Sequence, residues 1–267
     1  MKRDNFYFEA NKNAWNSKTP VHIGSEFYDV KNFKKGQTSL KFIELEELGD
    51  VKGKSILHLQ CHFGMDSLSL ARMGAKVTGI DISDKAIEEA KKLNDELNLD
   101  AEFVCCNIFD LPKIINKKFD IVFTSYGVIG WLPELNEWGK IISHFLNPNG
   151  IFYMVEFHPF IWMFDDEFKF FQYSYFMTEP IKETYSGTYA DKNADIQNTS
   201  YGWNHTFSEI LNSLIKQGLE IKFLNEFPFS TYNCFSNMEK IGVDKYVFEN
   251  HKDIIPYLYS IKAIKKT

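Results

Sequence analysis

The sequence predicts an α/β protein: a doubly wound sheet, mostly parallel with an antiparallel last strand, covered by helices on both faces. Two observations carry this. Between residues 55 and 155, short apolar runs alternate with segments of helical period until five strands have been laid down. Such alternation calls for right-handed crossovers between parallel strands. After residue 205 the rhythm resumes, with Leu219, Ile221 and Phe223 alternating as a strand and Tyr257 to Lys265 as a last one.

In order, Ser55 to Gln60 reads as the first strand. Asp66 is placed to cap a short helix from Ser67 to Met73, which Gly74 ends. Lys76 to Ile80 is the second strand, and Ser83 caps a helix from Asp84 to about Leu97, with Ile87, Ala90, Leu93 and Leu97 at helical spacing. Glu102 to Cys105 and Asp120 to Ser125 are the third and fourth strands. A helix near Trp138 to Phe145 is broken by the turn Asn147-Pro148-Asn149-Gly150, and Ile151 to Val155 is the fifth strand. Residues 157–205 break the pattern with HPFIWMFDDEFKFFQYSYFMTEP and a polar stretch. Thr206-Phe207-Ser208-Glu209 then forms a capping box, opening a helix that Gly218 closes. The organisation expected is one domain over 1–267. Residues 1–40 form an N-terminal lid, 41–156 and 206–267 the core, and 157–205 an inserted lid on the substrate side.

With 30 basic against 36 acidic residues the net charge is −6, which weighs against nucleic acid as a partner. No apolar run reaches membrane-spanning length, and MKRDNFYFEA lacks the features of a signal peptide. A cytoplasmic protein is expected. Cys61, Cys105, Cys106 and Cys234 form no CxxC pair, so neither a disulfide framework nor a metal site is expected. An aromatic fraction of 16%, with 25 Phe, exceeds ordinary usage and points to rings lining something besides the core.

In an open parallel sheet, ligands bind where the strand order reverses, beyond the carboxyl ends of the strands. The exit loop of the first strand, Gln60 to Gly64, belongs there. Asp81 ends the second strand, 17 residues beyond Gly64, where an acid accepts from ribose hydroxyls. Asn107 follows the third strand and can pair with an adenine edge. A dinucleotide needs G-x-G-x-x-G for its pyrophosphate; this loop has H-x-G and no nearby lysine. An adenosine without phosphates, bearing a compact zwitterionic tail, fits better than NAD.

LHLQCHFGMDSLSLARMGAKVTGIDIS, then FVCCNIFDLP and FDIVFTSYGVIGWLPELNEW, resemble class I S-adenosylmethionine-dependent methyltransferases over roughly residues 40–160. WNSKTPVHIGSEFYD, VEFHP and YGWNH resemble a small-molecule subgroup. The resemblance implies a Rossmann-like fold, S-adenosyl-L-methionine as methyl donor and S-adenosyl-L-homocysteine as product. It makes Gly64 the turn glycine, Asp81 the ribose acceptor and Ile82 a residue packing on adenine. Asn107 and the amide of Ile108 stand at the adenine amino group. Gln60 and His62 occupy positions where the family carries glycine, and Cys61 packs under the ligand. Ser125 ends the fourth strand at the same crevice.

On the acceptor side, Glu156 and His158 lie two residues apart near the end of the fifth strand and are the candidate catalytic pair. Tyr126, Trp131, Trp203 and His205 are candidate pocket walls. SYGVIGW replaces the Asn/Asp-Pro-Pro-aromatic motif of enzymes that methylate base amines, which favours a small-molecule acceptor. Rings there suit flat, apolar or cationic acceptors alike. The competing reading is a noncatalytic S-adenosylmethionine-binding protein whose aromatic insertion is a partner surface.

Overall fold

The computed structural model of the chain describes residues 5–165 and 167–266; Met1–Asp4 of the N-terminal segment, Asp166 of the inserted segment and Thr267 lie outside the described residues. In chain order the elements are α1 (Asn5–Gly24), α2 (Val30–Lys34), α3 (Phe42–Leu48), β1 (Ser55–Leu59), α4 (Met65–Arg72), β2 (Lys76–Asp81), α5 (Asp84–Glu96), β3 (Glu102–Cys105), α6 (Leu111–Ile114), β4 (Phe119–Ser125), α7 (Leu135–Phe145), β5 (Leu146–Phe157), β6 (Ile181–Ser186), β7 (Gln197–Gly202), α8 (Phe207–Ile215), β8 (Leu219–Phe227), β9 (Met238–Gly242), β10 (Lys245–Phe248) and β11 (Leu258–Lys265).

Among the described residues, seven strands form one sheet in the order β3-β2-β1-β4-β5-β11-β8. The strands from β3 to β5 pair in parallel, and β11 runs antiparallel to both β5 and β8. This is the mostly parallel sheet with an antiparallel last strand that the sequence predicts. Its order reverses between β1 and β4, which creates a crevice beyond their carboxyl ends.

Alternation along each strand feeds two cores. Leu57 and Leu59 of β1 pack on one face with Trp138, Ile142 and Phe145 of α7 and Ile210 and Leu214 of α8. Ile56 turns to the other face with Ile43 and Leu48 of α3 and Leu70 of α4. Ser83 caps α5 by accepting from Ala86 N, and Thr206 and Glu209 form the expected capping box on α8. Asp66 does not cap α4. That place belongs to Gly64, at φ +81°, where an added Cβ would lie 2.7 Å from the Phe103 ring.

Two other departures concern the cover. The N-terminal segment contains a 20-residue helix, α1, which packs against β7 of the inserted segment and against α5. Asn11 Nδ2 donates to Tyr201 O, and Tyr201 N donates back to Asn11 Oδ1, both at 2.8 Å. Secondly, residues 228–257, assigned to the core from sequence, leave the sheet between β8 and β11. They form the hairpin β9–β10 and bring Tyr232, Cys234 and Phe235 over the crevice.

The closest approach of α7 to α8 is at Gly139, where an added Cβ would stand 2.2 Å from Ser213 O. Gly139→Ala is expected to destabilise the fold by about 1–3 kcal/mol by forcing the helices apart, read as a lower urea midpoint at unchanged slope.

Candidate active site

A cavity of about 540 Å³ opens over the ends of β1, β2 and β4, within the roughly 300–1,000 Å³ typical of small-molecule sites. Its floor is the turn after β1. Gln60, His62 and Gly64 have φ of +56°, +51° and +81°, so all three glycine-type positions keep left-handed backbone although two carry side chains. A non-glycine residue there costs about 1–2 kcal/mol, and identifiable bonds hold it. Asp81, at the end of β2, accepts from His62 N and from Ser83 N, each at 2.8 Å. Cys61 N donates to Ile80 O, and Gln60 Nε2 donates to Val128 O across the crevice at 2.9 Å.

Burial of Asp81 pushes its carboxyl up to about 6, against the lowering effect of the amides that it accepts from. Burial also raises the Cys61 thiol well above its ordinary range, so a packing role suits it better than a nucleophilic one. Asn107 Oδ1 accepts from Phe109 N at 3.1 Å, which leaves its amino group as the free donor. Gln60, Cys61, His62, Asp81, Ile82, Asn107, Ile108, Ser125, Tyr126 and Trp131 all border the cavity. Gly64, the N-cap of α4, is not part of that lining.

The expected catalytic pair, Glu156 and His158, lies outside the lining of this cavity. Glu156 is buried, and its carboxylate accepts from the amides of Gly127, Val128, Ile129 and Phe157. It fixes the turn after β4 and has no face toward the cavity. His158 Nδ1 accepts from Phe160 N at 3.1 Å, and Nε2 meets Glu226 Oε1 at 2.9 Å. That requires the Nε2–H tautomer, and burial lowers the ring's pKa. It anchors the strand's exit on the far side of β5. Trp203 and His205 are also behind the wall. Trp203 N donates to Gly130 O and His205 Nε2 to Leu132 O, both at 2.8 Å, so they brace the loop that carries Trp131.

Several further residues border the cavity that were not among the expected site residues. Asp66 accepts from Ser39 Oγ at 2.6 Å and from Ser125 Oγ at 3.0 Å, and it borders the cavity beside His58. His58 Nδ1 meets Ser67 Oγ at 2.8 Å, while its Nε2 is buried without a partner among the described residues. Burial lowers this imidazole to about 4, so it is neutral. Phe8, Asn11, Trp15 and Lys18 come from α1; their spacing of three and four residues is the signal that could have found them. Tyr28 and Tyr189 meet through their hydroxyls at 2.5 Å on the same wall.

Orphaned polar atoms mark where a ligand is wanted. His58 Nε2, Gln60 Oε1 and His62 Nδ1 are buried without hydrogen-bond partners among the described residues, on three residues bordering one crevice. Native interiors seldom leave such groups unmet. A ligand with a nucleoside at Asp81 and a polar tail at the turn fits this donor and acceptor set.

Residues 50–212 match a family model described as a methyltransferase domain. A ubiquinone biosynthesis O-methyltransferase of Coxiella burnetii is 32% identical over 111 residues, 42% of this chain and 46% of that protein. An uncharacterized methyltransferase of Synechocystis is 33% identical over 132 residues, 48% of this chain and 59% of that protein. The chain thus spans about half the length of the curated relatives it matches. The crystal structure of an S-adenosylmethionine-dependent methyltransferase from Clostridium acetobutylicum shares the fold with a TM-score of 0.56 at 15% identity, covering 96% of this chain and 99% of that one.

The left-handed turn yields a test. At ordinary positions alanine is more favourable than glycine by about 0.5–1 kcal/mol. With φ at +51° the order should invert, His62→Gly being more stable than His62→Ala by about 1 kcal/mol. Urea unfolding of the two variants checks it; equal or reversed stabilities would mean that the turn does not hold this backbone.

Proposed function

Since the chain belongs to the methyltransferase domain family, we propose that it transfers a methyl group from S-adenosylmethionine to a small acceptor held under the aromatic cover. The observation that carries this reading is the turn at 60–64, which keeps left-handed backbone at its three glycine-type positions with Asp81 clamped beneath it. S-adenosylmethionine supplies, when bound, a methyl group on a sulfonium already activated by its charge.

The chain's own residues bind and orient. Asp81 keeps lone pairs free beyond its two backbone bonds and accepts from the ribose hydroxyls. Ile82 packs on the adenine, with Asn107 and the Ile108 amide at its edge. Asp66, beside neutral His58, faces the ammonium of the amino-acid tail. Tyr126 and Trp131 border the acceptor. The work asked of the protein is alignment and exclusion of water. The N-terminal and inserted segments supply that exclusion, together with residues 228–257. A dedicated base from Glu156 or His158 has no part in it, since both are committed to backbone and to Glu226.

The ubiquinone biosynthesis O-methyltransferases among its relatives favour an oxygen of a small molecule as the methyl acceptor. Incubating the protein with S-adenosylmethionine and fractionated metabolite pools, and assaying S-adenosylhomocysteine, tests the activity and finds the acceptor. No turnover with any pool, together with no binding of S-adenosylhomocysteine, would contradict it.

A pH dependence follows for the donor site. Below its pKa of about 6 the Asp81 carboxyl is protonated and loses acceptor strength, so S-adenosylhomocysteine affinity should weaken as pH falls through that value. Asp81→Asn should weaken binding at neutral pH by about 1.5–3 kcal/mol and flatten the dependence. Titration calorimetry checks both; an Asn variant with wild-type affinity would remove Asp81 from the ribose site.

A further inference from the structure

We infer that the acceptor is an anionic molecule, a carboxylate on a flat body, and that Lys18 is the residue that receives its charge. This rests on the methyl-transfer reading and narrows it to a substrate class.

Lys18 lies on α1, is only 5% exposed and borders the cavity. Its Nζ stands 4.6 Å from the centre of the Trp15 ring, 5.1 Å from Trp131 and 4.9 Å from Tyr185. Among the described residues no carboxylate forms an ion pair with it. Glu183, exposed on β6, attracts it and offsets part of the effect of burial. An ammonium taken out of water without a counter-ion is costly, and three ring faces offset only part of that cost. Burial lowers the lysine to about 8, so it is still largely charged at neutral pH.

The other basic groups facing it carry no charge. His22 is lowered to about 3, and His62 well below its ordinary value, in both cases mainly by burial and further by a basic neighbour, Lys18 among them. Their rings meet through His22 Nδ1 and His62 Nε2 at 2.9 Å, and His62 Nδ1 is left without a partner among the described residues. The His62 ring is 5.0 Å from Trp15. One wall therefore presents an ammonium held among indole rings.

The carboxylates bordering the cavity are engaged elsewhere: Asp81 with His62 N and Ser83 N, Asp66 with Ser39 and Ser125, Asp29 with Asn32. None neutralises Lys18. A cationic acceptor would find the ring cage occupied by a like charge. An anionic one would complete the pair, with its flat body against Trp15 and Trp131.

The test is calorimetry on the full chain saturated with S-adenosylhomocysteine, using 2-naphthoate, 2-naphthamide and (2-naphthylmethyl)trimethylammonium as probes. Naphthoate should bind at least about tenfold more tightly than the amide, and the ammonium probe most weakly. Lys18→Met should abolish the preference for the carboxylate while S-adenosylhomocysteine still binds, and Lys18→Arg should keep it. In the wild type the preference should fade as pH rises past about 8, where the ammonium loses its proton. Equal binding of the probes, tightest binding of the cation, or a preference that survives Lys18→Met would overturn the inference. If Lys18→Met does not fold, the wild-type probe ranking and its pH profile decide. Failure of S-adenosylhomocysteine itself to bind sinks the methyl-transfer reading instead.

Discussion

The site depends on one buried carboxylate. Asp81 ends β2 and accepts from the amide of His62 in the turn after β1 and from that of Ser83 at the start of α5. Two adjacent strand exits and a helix N-terminus are thereby fixed to a single point. Without that clamp, left-handed backbone at Gln60 and His62 would have little to hold it, since neither residue favours it. The crevice at the strand-order reversal exists because of topology, but its floor has a defined shape because of this one side chain.

A second carboxylate does the same for the opposite rim. Glu156 gathers the amides of Gly127, Val128 and Ile129, turning the chain after β4 so that Trp131 comes to the cavity. Trp203 and His205 brace that loop from outside. Three residues expected at the chemistry thus act one layer behind it, through bonds to backbone.

Where local chemistry decides, the sequence was readable. Strand and helix alternation gave the sheet, Ser83 and Thr206 gave their helix starts, and Asp81 was placed by its position after the second strand. For Glu156 and His158, strand alternation says which residues share a face but not which face meets the cavity, and neither lines it. Asp66 was read as a cap because it precedes a helix, whereas Gly64 can take the left-handed cap position and frees the acid for the cavity. Helix α1 escaped notice for a different reason. Its inward stripe, Phe8, Asn11, Trp15, Lys18 and His22, has helical spacing but mixes rings with polar groups, so it shows little apolar periodicity. Residues 228–257 carry no regular pattern, and only the tertiary structure shows them leaving the sheet.

The paired bonds between Asn11 and Tyr201 join positions 190 residues apart. α1 meets the core through Asn16 with Ser83 and Asp84 and through His22 with His62, but the bonds of Asn11 need β7, far later in the chain. Contacts of such long range close late and slowly. The two hydrogen bonds between Asn11 and Tyr201 therefore tie two parts of the cover that are far apart in the chain into one.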